Sequence, residues 1–152
     1  MYKKVFLIFC FLIFTNCGFT PIHTEQDKKD ILIEKIIFNE GDRKLNILIQ
    51  RNLERYKNSN SKNIFIINGN TKYEKSIISK DTKGIATKYE LKAIVNFKIV
   101  FGNNIEKITL KETFSMDHMS DDFESKKYEE AIKRNFANSI TRNLVMKLSQ
   151  IQ

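Results

Sequence analysis

The chain predicts an α+β fold: a two-layer sandwich with a four-stranded, mostly antiparallel sheet and two helices on one face, in the order β-α-β-β-β-α. Three observations carry this. From Ile85 to Phe101 apolar or strand-favouring residues occupy every odd position, the period of a half-buried strand. Two other stretches, Leu45–Tyr56 and Tyr128–Ile151, repeat apolar residues every three to four positions, the period of a helix face. The later strand-like runs are separated only by short polar or Gly/Asn segments, which turn a chain back on itself.

Each element has its own justification. Ile31–Phe38 (ILIEKIIF) is β-branched and interrupted only by Glu34-Lys35, a first strand. Asn39-Glu40-Gly41-Asp42 is a turn, and Asp42 is placed to cap a helix that begins at Arg43. In that helix Leu45, Leu48, Ile49, Leu53 and Tyr56 line one face, and Lys57–Lys62 (KNSNSK) ends it. Asn63–Ile78 reads as a second strand, bent near Asn68-Gly69-Asn70 where glycine favours a bulge. Ser79–Gly84 is a hairpin loop. The third strand then buries the odd series from Ile85 to Phe101 and turns Lys88, Glu90, Lys92, Asn96 and Lys98 to water. Gly102-Asn103-Asn104 reverses the chain into a fourth strand, Ile105–Met116, which buries Ile108, Leu110, Phe114 and Met116. Asp121 with Glu124 three residues on, or equally Ser120, caps a last helix from Asp122. Its stripe is Tyr128, Ile132, Phe136, Ile140, Leu144, Leu148 and Ile151.

The first residues belong to a different kind of sequence. Lys3-Lys4, the apolar run Val5–Phe14 and then Thr15-Asn16-Cys17 have the order of a bacterial lipoprotein signal. Ten apolar residues suit a signal core, whereas a spanning helix needs about 20. Cleavage before Cys17 would make it the first residue, carrying diacylglycerol on its sulfur. Phe14 and Asn16 depart from the usual leucine and small residue of such sites, so the alternatives are an ordinary secreted chain or a membrane-anchored one whose Cys17 is incidental. The expected organisation is therefore a signal peptide over 1–16, a lipidated tether over 17–30 and one domain over 31–152. Cys10 would leave with the signal, and the single remaining cysteine has no partner for a disulfide.

Removal of residues 1–16 from the 152 leaves 136, the size of one domain, and takes Lys3 and Lys4, so the formal net charge falls from +8 to +6. For an exported chain this points to lipid phosphates and other envelope polyanions; nucleic acid is not expected as a partner. Chemistry is hard to place. The two histidines, His23 and His118, have no partner at metal-ligand spacing. Five glycines leave no phosphate cradle, and no G-x-S-x-G or H-E-x-x-H occurs. Asp117-His118 beside Asp121-Asp122 reads as a polar turn with helix caps more readily than as an acid–base cluster. No enzyme and no cofactor is expected beyond the acyl lipid on Cys17.

Cys17 followed by Gly-Phe-Thr-Pro, the ILIEKI strand and the helix RKLNILIQRNLERY resemble the lipopolysaccharide-assembly lipoprotein family LptE, in a divergent short form. The stretch KDTKGIATKYELKAIVNFKIV resembles that family's second hairpin, and FSMDHMSDDFESKKYEEAIKRNFANSITRNLVMKLSQI its final turn and helix. At the strand start the family often has arginine where this chain has Lys88. The resemblance implies an outer-membrane lipoprotein that plugs a β-barrel of the LptD type, helps it assemble and binds lipopolysaccharide. Gly18 after the cysteine, where aspartate would favour retention at the inner membrane, is consistent with export to the outer one. The residues expected to meet lipid phosphates are Lys80, Lys83, Thr87 and Lys88, at the hairpin tip and the start of the third strand; Lys107 and Lys111 are weaker candidates. Two other readings stay open. One is a lipoprotein that holds a small apolar ligand against Phe97, Phe101 and Phe114; the other is an accessory subunit of a different envelope transporter.

Overall fold

The computed structural model describes residues 31–57 and 61–151. The expectations placed on residues 1–16, on Cys17 and on the tether lie outside the described residues.

The elements follow the expected order: β1 (Leu32–Glu40), α1 (Arg43–Glu54), β2 (Ile64–Lys80), β3 (Ala86–Phe101), β4 (Asn104–Asp117) and α2 (Asp122–Leu148). They form one mixed sheet of spatial order β1-β2-β3-β4. β1 runs parallel to β2 through the α1 crossover, and the other two pairings are antiparallel hairpins. α1 begins where Asp42 accepts a hydrogen bond from the Leu45 backbone N–H at 2.8 Å, and α2 where Asp121 accepts from Phe123 and Glu124. Both helices lie on the sheet face that carries the odd residues of β3, and a single core forms between the layers.

That core is built from Ile33, Phe65, Ile67, Leu91, Ala93, Val95, Phe97 and Ile99 on the sheet. Leu45, Ile49 and Leu53 reach it from α1, and Ile132, Phe136, Ile140, Leu144 and Leu148 from α2. α2 buries a second row beside the expected stripe, namely Ala137, Thr141 and Val145. The row is needed because α2 packs on both the sheet and α1, so its apolar face is wider than one stripe. Thr141 sits there without an orphaned hydroxyl, donating to the Ala137 carbonyl at 2.7 Å.

Two glycines are required by close approach. Gly41 has φ of +106°, and a Cβ there would collide with the Thr71 carbonyl where the β1–α1 turn crosses β2. Gly69 was expected to mark a bulge in β2, but β2 pairs with β3 without interruption from Phe65 to Ile77. The irregularities fall elsewhere: on β1, between Ile33 and Lys35 and between Phe38 and Glu40, and near the hairpin, between Ile77 and Lys80 of β2. Gly69 is small because the Phe38 ring lies on it, edge-on to Phe97 at 6.3 Å.

Four residues expected in the core are not covered. Ile85 is 56% exposed, Phe114 38% and Tyr128 42%, and Thr87 is also exposed. All four lie toward the end of the molecule that carries the β2–β3 hairpin. β4 stops at Asp117, level with Lys88, so Ser79–Thr87 continues past the sheet as a two-stranded ribbon. On the other layer, the first ten residues of α2 contribute nothing to the core, whose helical part starts at Ile132. Sheet and helix thus both overhang the packed region at one end.

Candidate functional site

The hairpin end is shaped by its turn. Asp81 closes it from within: its Oδ1 accepts from the backbone N–H groups of Lys83 (2.9 Å) and Ile85 (2.8 Å), and its own N–H donates to the Ile85 carbonyl (2.8 Å). The tip is a hydrogen-bonded structure that holds Lys80 and Lys83 outward. Neither ammonium has a carboxylate partner among the described residues. Thr87 donates to Ser79 Oγ across the ribbon at 3.0 Å. Lys88 differs from the other three. It projects from the opposite face to Thr87, as neighbours in a strand must, and pairs with Asp117 at 3.5 Å. The four expected residues therefore form a tip pair, a ribbon hydroxyl and a separately neutralised lysine.

The sequence reading missed the apolar half of this end. Ile77 and Ile78 just before the ribbon and Ile85 within it are about half exposed, and Phe123 at the start of α2 is 72% exposed. The β4–α2 turn ties the two overhangs together through the His118 N–H, which donates to the Thr87 carbonyl at 2.9 Å. The signal was present in the Ile-Ile pair directly before the loop. A periodic reading takes such residues for core because it reports the face and not what covers it.

Behind the overhang lies a partly buried polar chain. Lys133 of α2 donates to Asp42 Oδ2 at 2.9 Å and lies 3.8 Å from the centre of the Tyr73 ring. The Tyr73 hydroxyl donates to Glu129 Oε1 at 2.9 Å, and Lys75 donates to Glu129 Oε2 at the same distance. Lys75 in turn lies 4.8 Å from the Tyr89 ring centre. Burial alone would raise the Glu129 and Asp42 carboxyls, yet both end below the usual range. Hydrogen bonds from Lys75 and Tyr73 outweigh burial at Glu129; the Leu45 N–H and Lys133 do so at Asp42. Burial, then the Glu129 hydrogen bond and charge, push the Tyr73 phenol up, so it stays a donor. Every member is satisfied and closed off by another. The arrangement is a clamp that fastens α2 to β2, with no group left to act on a substrate. Its trace in the sequence is the Glu129/Lys133 pair one turn apart beside the apolar stripe.

Other expected sites resolve in the same way. The His118 ring lies 6.2 Å from that of Tyr89, and Asp121 is occupied as a helix cap. Among the described residues no group of His, Cys, Asp and Glu could hold a metal. Phe97 is buried, Phe101 stacks on Phe65 at 4.8 Å, and Phe114 meets Tyr128 edge-on at 6.2 Å. Each of these rings packs against a different partner, Phe38, Phe65 or Tyr128, which opposes an apolar ligand pocket between them.

No protein-family model matches the chain, and no curated protein matches it. Solved structures do. The crystal structure of the rare lipoprotein B from Shewanella oneidensis aligns with a TM-score of 0.58 at 13% identity, over 77% of this chain and 98% of that one. A minor lipoprotein from Acinetobacter baumannii aligns at 0.51 with 18% identity, over 75% and 94%. The solution structure of an uncharacterized lipoprotein B from Nitrosomonas europaea aligns at 0.50 with 18% identity, over 82% and 90%. At these identities the likeness is one of fold: the chain shares its architecture with three bacterial lipoproteins.

Proposed function

We propose that this protein is an outer-membrane lipoprotein of the LptE kind, anchored through acyl chains on Cys17, and that it is not an enzyme. It would seat in a β-barrel of the LptD type, assist that barrel's assembly and bind lipopolysaccharide with its hairpin end. One observation carries the reading: the apolar pattern outruns the protein's own core at the end where Lys80 and Lys83 stand unpaired. Half-exposed isoleucines beside free ammonium groups fit an amphiphile that brings phosphate and acyl chain together. The shared fold with bacterial lipoproteins supports the envelope setting. The polar face of the sheet suits a barrel lumen, which is itself polar.

Full-length, C-terminally tagged protein recovered from its native membranes in mild detergent tests the partner. A stoichiometric, heat-modifiable barrel is the expected companion. Recovery alone, or with an inner-membrane transporter, would sink the plug reading and favour an accessory subunit of another envelope transporter. For the ligand, the full-length K80E/K83E and I77S/I85S variants are each expected to lose at least ~10-fold in lipopolysaccharide affinity at low salt with melting temperature unchanged. Undiminished binding by both would move the site away from the hairpin.

A further inference from the structure

The sheet face turned away from the helices carries a second feature, which does not depend on that reading. A cavity of about 520 Å³ opens there over the middle of β2, β3 and β4, lined by Asn68, Asn70, Asn96, Lys98, Lys107 and Thr109. It lies eleven residues of β2 from the hairpin tip, roughly 35 Å along an extended strand.

Lys98 and Lys107 are direct partners in the β3–β4 register, and like charges directly opposite destabilise a sheet. Neither forms an ion pair among the described residues, and nor does Lys111 of the same face, whereas Lys72 and Lys92 meet Glu74 and Lys88 meets Asp117. A lysine on edge strand β4 is explained by resistance to edge pairing. Lys98 is on an interior strand, where that explanation fails. The amides beside them point the same way. Asn96 uses its Oδ1 to accept from Thr109 at 2.8 Å, which leaves its NH2 group as the free end. Asn70 donates to Glu40 Oε2 at 3.2 Å and so ties up the acid at the rim. Asn68 makes no side-chain hydrogen bond among the described residues. The cavity is therefore rich in unused donors, and its one carboxylate, Glu40, is held at the rim by Asn70.

We infer that this cavity binds a phosphate-class oxyanion, between the Lys98 and Lys107 ammonium groups and the Asn68 and Asn96 amides. Charge-assisted bonds from two ammonium groups suit a dianion. The surrounding amides and the Thr109 hydroxyl suit a polar carrier such as a sugar.

The test uses 15N-labelled full-length protein in neutral-detergent micelles, titrated at low salt with inorganic phosphate, glucose 1-phosphate and uncharged methyl glucoside. Side-chain NH2 signals of Asn68 and Asn96 should shift saturably with the phosphates, with a midpoint on the order of 1 mM. Equal midpoints for the two phosphates identify the free anion as the ligand; a lower one for glucose 1-phosphate identifies a phosphorylated sugar. K98Q/K107Q should weaken binding at least ~10-fold. N96D keeps the acceptor for Thr109 but removes the free donor, and should do the same. The like-charge cost supplies an independent readout: K107E should melt higher than the parent while losing the phosphate shift. The inference is overturned by absence of a saturable shift, by its survival in K98Q/K107Q, by equal saturation with methyl glucoside, or by a lower melting temperature for K107E.

Discussion

The two ends of the sheet are held by different forces. Phe65, Ile99, Ile140 and Leu144 lie in the apolar core and are almost wholly buried. Toward the hairpin the core gives out, and the link between layers passes to Tyr73, Lys75, Glu129 and Lys133. A buried aliphatic side chain contributes about 1.5–3 kcal/mol by leaving water. A partly buried charged hydrogen bond contributes a similar amount but vanishes when one partner changes protonation. The packed end is therefore built to persist, and the overhanging end to hold its shape while keeping apolar groups in reach of something else.

The contrast can be broken at several strengths. Ile140→Ala, at the centre of the packed end, should cost about 2–5 kcal/mol in urea unfolding. Ile77→Ala, at the foot of the ribbon, should cost no more than about 0.5 kcal/mol. Similar losses at both sites would show that the ribbon is core after all. Next comes Gly69→Ala, which drives a methyl into the Phe38 ring and should cost about 1–3 kcal/mol. A neutral effect would mean that β1 can slide away from β2.

The clamp should respond to acid. Asp42 and Glu129 have depressed folded values, so their contribution is fully present above the unfolded carboxylate range. It is lost as pH falls through the folded values, below about pH 4. Tyr73 ring signals in NMR should lose their dispersion over that range before global unfolding. Glu129→Gln should remove much of that pH dependence, while an unchanged profile would exclude the clamp as its source. The smallest effect belongs to Lys88→Ala: its pair with Asp117 is exposed, and such pairs contribute about 0–1 kcal/mol.

The same division explains what the sequence revealed. The alternation from Leu91 to Ile99 and the spacing from Ile132 to Leu148 placed the core correctly, because local period reports which face a residue occupies. Period says nothing about where a covering layer ends. Ile85, Phe114 and Tyr128 therefore carried a core signal without a core position. Gly69 was misread for a related reason: its neighbour is Phe38, thirty-one residues earlier, and no local pattern encodes that approach. Of the expected site, the outward lysines at the tip were legible from the loop composition, whereas the pairing of Lys88 with Asp117 needed the β3–β4 register. The donor-rich cavity needs three strands aligned at once, so its Asn and Lys residues read singly as solvated.

The parallel pairing of β1 with β2 has a directional consequence. Leu32 aligns with Ile64, at the start of β2, and the hairpin tip follows Lys80 at its finish. Seventeen residues of strand lie between, roughly 50 Å of sheet. Ile31 therefore lies at the pole opposite the isoleucines and free lysines. Under the proposed anchorage through Cys17 the sheet would act as a boom, its tip carried about the full width of a membrane from its foot.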